Sequence, residues 1–361
     1  MATNPAANAI RRARRRAQNE MARRLREFEA ELLLLYRQAG LQIDAGIRRA
    51  ETVEGLIDPA RARELRQQID DSIDAVRQQS EGLILQSING SAALGVQPFE
   101  GRQLERAVQE ITDEIVRGFR EFAAADGLQL SERVWRTTTQ ARRELQAAVE
   151  TAIAEGQSAS RAAQEFVARG QGVPDDILDK RRRARAVAIA VKSRNAMDGG
   201  KHYRATLQVM RTETIRAHGL AHRAAAAADP DVIGVRYMLS PRHPAPDICD
   251  VHANANIYGL GKGVYPPDRS PWPAHPNTFS FEQIKYRDEV EPEERENKFS
   301  RVDWLNDQPD SVVEGALGDS PAKLRAFRAG HVGERSITTP WRVLRQRLER
   351  QGVNVSRFEA G

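Results

Sequence analysis

Apolar residues recur at steps of three and four through the first 155 positions of the chain. Leu25, Phe28, Leu32 and Leu35 share one helical face. Ile69, Ile73, Val76 and Leu83 repeat the stripe, with Ser80 standing where an apolar residue would continue it. Leu104, Val108, Ile111, Ile115, Phe119 and Phe122 form the clearest run. A fourth helix is expected from Ser131, a residue suited to an N-cap, through Val134, Leu145, Val149 and Ile153. Each stripe needs a partner to leave water, so residues 1–155 are expected to fold as an elongated bundle or a set of packed helical hairpins. "SINGSAALGVQPFEG" (87–101) reads as a break inside this region and "AEGQSAS" (154–160) as a break after it.

The pattern then changes. Helices are expected over 160–169, 175–197 and 201–228, the last ended by Asp229 and Pro230. "VIGVRYML" (232–239) and "FSFEQIKYRDEV" (279–290) alternate with period two, as two strands that pair with each other. Between them, positions 240–280 are rich in Pro, Gly, His and Asp, the composition of long ordered loops. Beyond the acidic stretch "DEVEPEERE", helices are expected at 317–330 and 340–351. The expected fold is therefore mostly α: a helical domain over 1–155, a small α+β domain over 156–290 with a two- or three-stranded antiparallel sheet, and a helical tail over 291–361.

Charge sharpens this picture. Residues 1–26 carry eight arginines and one glutamate, so they hold +7 of a net +5, and the rest of the chain sums to −2. Arg11, Arg12, Arg14, Arg15, Arg16, Arg23 and Arg24 are candidates for contact with nucleic acid or an acidic partner. A solvated helix end would account for them equally. A second basic block, 180–194, has seven cations and no acid. Neither block interleaves aromatics, so no base-stacking platform is expected. No apolar run approaches the ~18 residues of a membrane span, and no apolar segment follows the basic start as a secretory leader would require. A single cysteine excludes an internal disulfide.

Several residue sets invite chemistry. Cys249 and His252, with His275 further on, have spacing that a zinc ion accepts. The fourth ligand would come from His243, Asp247 or Asp250, and a loop held by hydrogen bonds is the simpler expectation. His218 and His222 lie four apart on a helix, but Gly219 stands where the metalloprotease pattern needs Glu. Arg211, Glu213 and Arg216 read as an ion-pair network anchoring their helix against the loop region. Cys249 lacks the glycine-rich turn or helix start that would make an oxyanion hole. Glu289 and Glu291 match a Glu-x-Glu pair only as two acids among many, and "GLGKG" (259–263) reads as a flexible loop tip.

In sequence order, "RTETIRAH", a strand, "DICDVH", a Pro/Gly loop, "PAHPNTFSF" and a second strand resemble the MuF-type minor head proteins of tailed phages, the phage head morphogenesis family. Arg211, Thr212, Glu213, Cys249, His252, His275, Pro276 and Asn277 match that family's landmarks. Thr278 and Ser280 stand where it has cysteines. The segment 303–330, "DWLNDQPDSVVEGALGDSPAKLRAFRAG", is similar to one that follows the domain in many phage head proteins. Together the two likenesses cover about residues 155–335. The resemblance implies a structural minor capsid protein of the virion, not an enzyme. Its partners would be the portal protein, a major capsid or scaffolding protein and double-stranded DNA, with no membrane. It further implies that Cys249, His252, His275 and Asn277 form a structural loop or a vestigial metal site, with zinc the one cofactor to consider. The competing readings are a MuF-domain effector or metal-dependent enzyme, which would need a catalytic domain beyond residue 290, and a DNA-binding packaging factor.

Overall fold

The computed structural model describes residues 5–99, 105–121, 129–168, 173–241, 243, 245–275 and 280–359. Seven helices lead the described chain: α1 (Pro5–Ala50), α2 (Ala62–Val96), α3 (Glu105–Glu121), α4 (Leu130–Ala168), α5 (Asp175–Arg183), α6 (Ala186–Met197) and α7 (Lys201–Ala227). Next come β1 (Val232–Leu239), α8 (Ile248–Asn254), β2 (Val264–Tyr265) and β3 (Ser280–Tyr286). The chain closes with α9 (Pro292–Glu296), α10 (Arg301–Asn306), α11 (Asp310–Ala316), α12 (Pro321–Arg328), α13 (Trp341–Arg350) and α14 (Ser356–Glu359). The protein is thus mostly helical, with a long helical N-terminal region, a small three-stranded antiparallel sheet and a helical C-terminus.

Packing groups Met1–Arg14, Gly95–Ile111 and Gly219–Gly361 into one unit, and Arg15–Leu94 with Thr112–His218 into another. The second unit is built on the expected stripes. Leu32 and Leu35 on α1, Ile69, Ile73 and Val76 on α2, and Val134, Leu145 and Val149 on α4 are all buried. Burying each such side chain contributes about 1.5–3 kcal/mol. The α2 stripe continues through buried Ser80 to Ile84 and Ile88, at steps of four, and leaves Leu83 half-buried. Two polar pairs tie α7 into this core: Tyr36 with Thr206, and Ser87 with Thr214, each oxygen pair 2.7 Å apart.

Two expected breaks are helix over much of their length, the first as far as Val96 and the second throughout. α2 runs to Val96, through Gly90 and Gly95, because Ile88, Ala92, Leu94 and Val96 are buried along it. α4 runs through 154–160, and a Cβ at Gly156 would stand 3.5 Å from Ala184 and 3.6 Å from Leu56. A Cβ there would meet only ordinary van der Waals contact, so the helix runs on through the small residues without needing glycine at 156. α4 also begins at Leu130, one residue ahead of the expected cap at Ser131, with Glu132 accepting from the backbone of Gln129 at 2.6 Å. The helix expected over 175–197 is two, α5 and α6, divided at Ala184 and Arg185. Leu104 and Phe122 of the third stripe lie outside the described residues.

In the other unit the strand order is β2-β1-β3, both pairings antiparallel, with Val235 opposite Ile284 and Arg236 opposite Gln283. "GLGKG" is not a loose tip. Gly259, Gly261 and Gly263 all adopt positive φ, and a Cβ on Gly261 would run into the Glu294 carboxylate at 2.5 Å. Buried Asn256 fastens the turn, accepting from Gly261 N at 3.1 Å and donating to the carbonyls of Glu294 and Asn297, both at 2.7 Å. The C-terminal helices bury Leu305, Val313, Phe327, Ile337, Leu344 and Phe358 in one core, and Val251 of α8 is part of it. That shared core fixes α8, the carrier of Cys249.

Candidate functional site

α8 is only seven residues long, so its ends matter. Asp247 caps it, accepting from Cys249 N at 2.6 Å, while Asp250 reaches back to accept from Asp247 N at 2.8 Å. This capping box satisfies backbone donors that the helix itself leaves over. His243 Nε2 meets the same Asp250 carboxylate at 2.8 Å and so pins the incoming loop.

Cys249 is fully buried, and its Sγ lies 3.1 Å from His275 Nε2. The same Nε2 is 3.1 Å from Asp247 Oδ2. Asp247, Cys249 and His275 thus bring one potential ligand atom each within 4.8 Å of the others. The thiol is also approached by Tyr237 of β1, whose hydroxyl donates to Sγ at 3.1 Å and accepts from Ser280 of β3 at 2.7 Å. Sheet, short helix and loop therefore converge on one sulfur.

His252 is not in that group. It sits in the core with its ring 5.5 Å from Tyr237 and 6.3 Å from Tyr265, and among the described residues its Nδ1 has no hydrogen-bond partner. Burial, and after it the Arg301 guanidinium, hold its pKa down at about 3. The expected set of Cys249, His252 and His275 is therefore replaced by Cys249, His275 and Asp247. Of the loop residues named with them, Asn277 lies outside the described residues.

The other sequence candidates go to structural work. Glu213 is buried and pairs with Arg133 of α4 at 2.8 Å and with Arg216 at 3.5 Å, while the Arg216 guanidinium lies over the Phe119 ring. Arg211 does not join them. It makes an exposed two-bond pair with Glu29 of α1, at 2.5 and 2.8 Å. Among the described residues the pairs of Arg211, Glu213 and Arg216 are thus made with α1, α3 and α4. His222 is bound through Nδ1 to the carbonyl of Gly95 at 3.1 Å, and among the described residues neither His218 nor His222 belongs to a cluster of ligating side chains. Glu289 takes the backbone of Tyr286 and an ion pair with Arg11.

The basic N-terminus divides by environment. Arg11 faces Glu289, and Arg14 is half-buried, with desolvation bringing its pKa down to about 10 against the opposing pull of Glu282. Arg23 and Arg24 share Glu20, and Arg23 also reaches Glu27. Arg12, Arg15 and Arg16 are exposed. Among the described residues no helix is long and apolar enough to cross a membrane. Comparison with protein-family models, with curated proteins and with solved structures gives no match.

Proposed function

We propose that this chain is a structural, non-enzymatic minor head protein of a tailed phage, of the MuF type, carried in the virion at the portal vertex or inner head. The observation that carries the reading is the order of Arg211-Thr212-Glu213, then Cys249 and His252, then His275-Pro276-Asn277 along the chain. The surroundings of those residues support it. Glu213 is spent on a buried ion pair, His252 on an aromatic core, and Ser280, at one of the two positions where the family has cysteine, on a hydrogen bond to Tyr237. Side chains so engaged build a scaffold rather than turn over a substrate. Long helices with exposed apolar residues such as Leu34 and Leu41 suit a partner that offers helices of its own, such as a portal, capsid or scaffolding protein. The exposed Arg12, Arg15 and Arg16 suit an acidic protein surface or packaged DNA.

The test is co-purification of the full-length chain with the portal protein encoded by the same phage, alongside mass spectrometry of purified particles. Portal retention and presence in particles are the expected results. A chain missing from particles and indifferent to the portal would sink the reading.

A further inference from the structure

The geometry points to a mononuclear site for a thiophilic divalent cation of the zinc class, held by Asp247, Cys249 and His275. It goes beyond the role proposed above and does not depend on it. His275 Nε2 lies 3.1 Å from both Cys249 Sγ and Asp247 Oδ2. With a proton Nε2 serves Asp247 Oδ2, and without one it accepts from the Cys249 thiol but faces a carboxylate oxygen, so no single protonation state satisfies both contacts well. One cation can accept electron pairs from all three atoms at once.

Distances agree with this. Bonds of about 2.3 Å to sulfur and about 2.0 Å to nitrogen or oxygen, at tetrahedral angles, separate neighbouring ligands by roughly 3.3–3.6 Å. The observed separations of 3.1 Å need only a few tenths of an ångström of opening. The ligands are also aimed from outside. Asp247 Oδ1 accepts from the backbone N–H of Cys249, which leaves Oδ2 facing the histidine. Tyr237, itself bonded to Ser280, orients the sulfur. The Asp247 and His275 side chains are each about one-third exposed, 32% and 34%, so a cation can reach the site and water can complete its shell. Sulfur and imidazole donors select zinc or cobalt over calcium and magnesium. His243 and Asp250 group with the same Asp247, but the Asp250 carboxylate already accepts from Asp247 N and faces His243 Nε2 as part of the helix cap.

The test is titration of tag-free, EDTA-treated full-length protein with Co2+, followed by absorbance, with Zn2+ and Mg2+ as competitors. Expected is one Co2+ per chain, with a thiolate-to-cobalt charge-transfer band that Zn2+ abolishes and Mg2+ leaves alone. Cys249→Ser should remove the band. Loss of an outer partner weakens a metal site about 10–100-fold, so Asp247→Asn and His275→Gln should weaken binding at least that much. Asn is itself a good cap, which keeps α8 in place in the first of these. His252→Phe should leave stoichiometry and band unchanged. Circular dichroism checks that each variant is folded. No charge-transfer band in the folded wild type overturns the proposal. So does a band that survives Asp247→Asn at full affinity but vanishes with His252→Phe.

Discussion

Gly219 is where a peptidase motif would place its glutamate, and the reason for glycine there is a tryptophan. A Cβ on Gly219 would fall 2.1 Å from the ring of buried Trp272, whose indole nitrogen donates to Ser280 O at 3.1 Å. Gly219→Ala gains about 1 kcal/mol of helix propensity and meets overpacking of about 1–3 kcal/mol, so the clash decides the sign. The expected result is a net loss of stability, read as a lower urea midpoint at unchanged slope. His252 makes a second residue-scale prediction. Its folded pKa is about 3 against an ordinary value of 6.5, so below pH 6.5 the unfolded chain takes up a proton that the folded chain refuses. Stability should therefore fall as pH drops from about 6.5 towards 3, by up to about 1.4 kcal/mol per pH unit. His252→Phe keeps a ring against Tyr237 and Tyr265 and removes the titrating group, so the variant should lose less stability over that window. Denaturation curves at pH 7 and 4.5 check it, and parallel losses in both proteins would refute it. The same residue shows why the candidate site was only half legible. Cysteine and histidine announce themselves by type, which picked out Cys249 and His275. Whether His252 or Asp247 faces them depends on how one seven-residue helix is rotated onto the C-terminal core, and no local pattern encodes that.

At the scale of elements, two ion pairs on one helix separate burial from charge. Glu213 on α7 is 4% exposed and holds Arg133 and Arg216, whereas Arg211, two residues earlier, makes its pair with Glu29 in solvent. Neutralising the buried acid leaves guanidinium charge without its counter-charge, so Glu213→Gln should cost about 3 kcal/mol. Arg211→Ala should cost under about 1 kcal/mol, and part of that small cost should vanish at high salt. Equal losses from the two substitutions in urea denaturation would contradict this account. Element by element, the long helices and the strands at 232–239 and 280–286 were readable because their periodicities are strong. The continuations of α2 through Gly90 and of α4 through Gly156 were not. Glycine and serine in sequence signal a break, but here they sit inside helices held by buried residues on either side, Ile88 and Ala92 on α2 and Ala152 and Ala163 on α4. β2 was hidden for a related reason. It has two residues, too few for a period, and it exists because three glycines and Asn256 bend the chain back onto β1.

At the scale of the whole molecule, the charge that stood out in composition is not all available. Of the arginines considered for DNA contact, Arg11 pairs with Glu289, Arg14 is half-buried within the field of Glu282, and Arg23 and Arg24 share Glu20. Arg12, Arg15 and Arg16 remain exposed, and their spacing of three and four puts them on one face of α1. If the N-terminus engages double-stranded DNA, that face sets the strength of its salt dependence. Each phosphate neutralised contributes about −0.9 to the slope of log K against log salt, so three arginines contribute roughly −3. Between 50 and 200 mM salt this amounts to roughly a forty-fold loss of affinity. Replacing Arg12, Arg15 and Arg16 together by Gln should remove most of the slope, read by fluorescence anisotropy on a short duplex. Replacing Arg23 and Arg24 by Gln should remove less, because their charge is already balanced locally by Glu20 and Glu27. Equal effects of the two replacements would mean that the arm acts only through its summed charge, and that the exposed face of α1 has no role of its own.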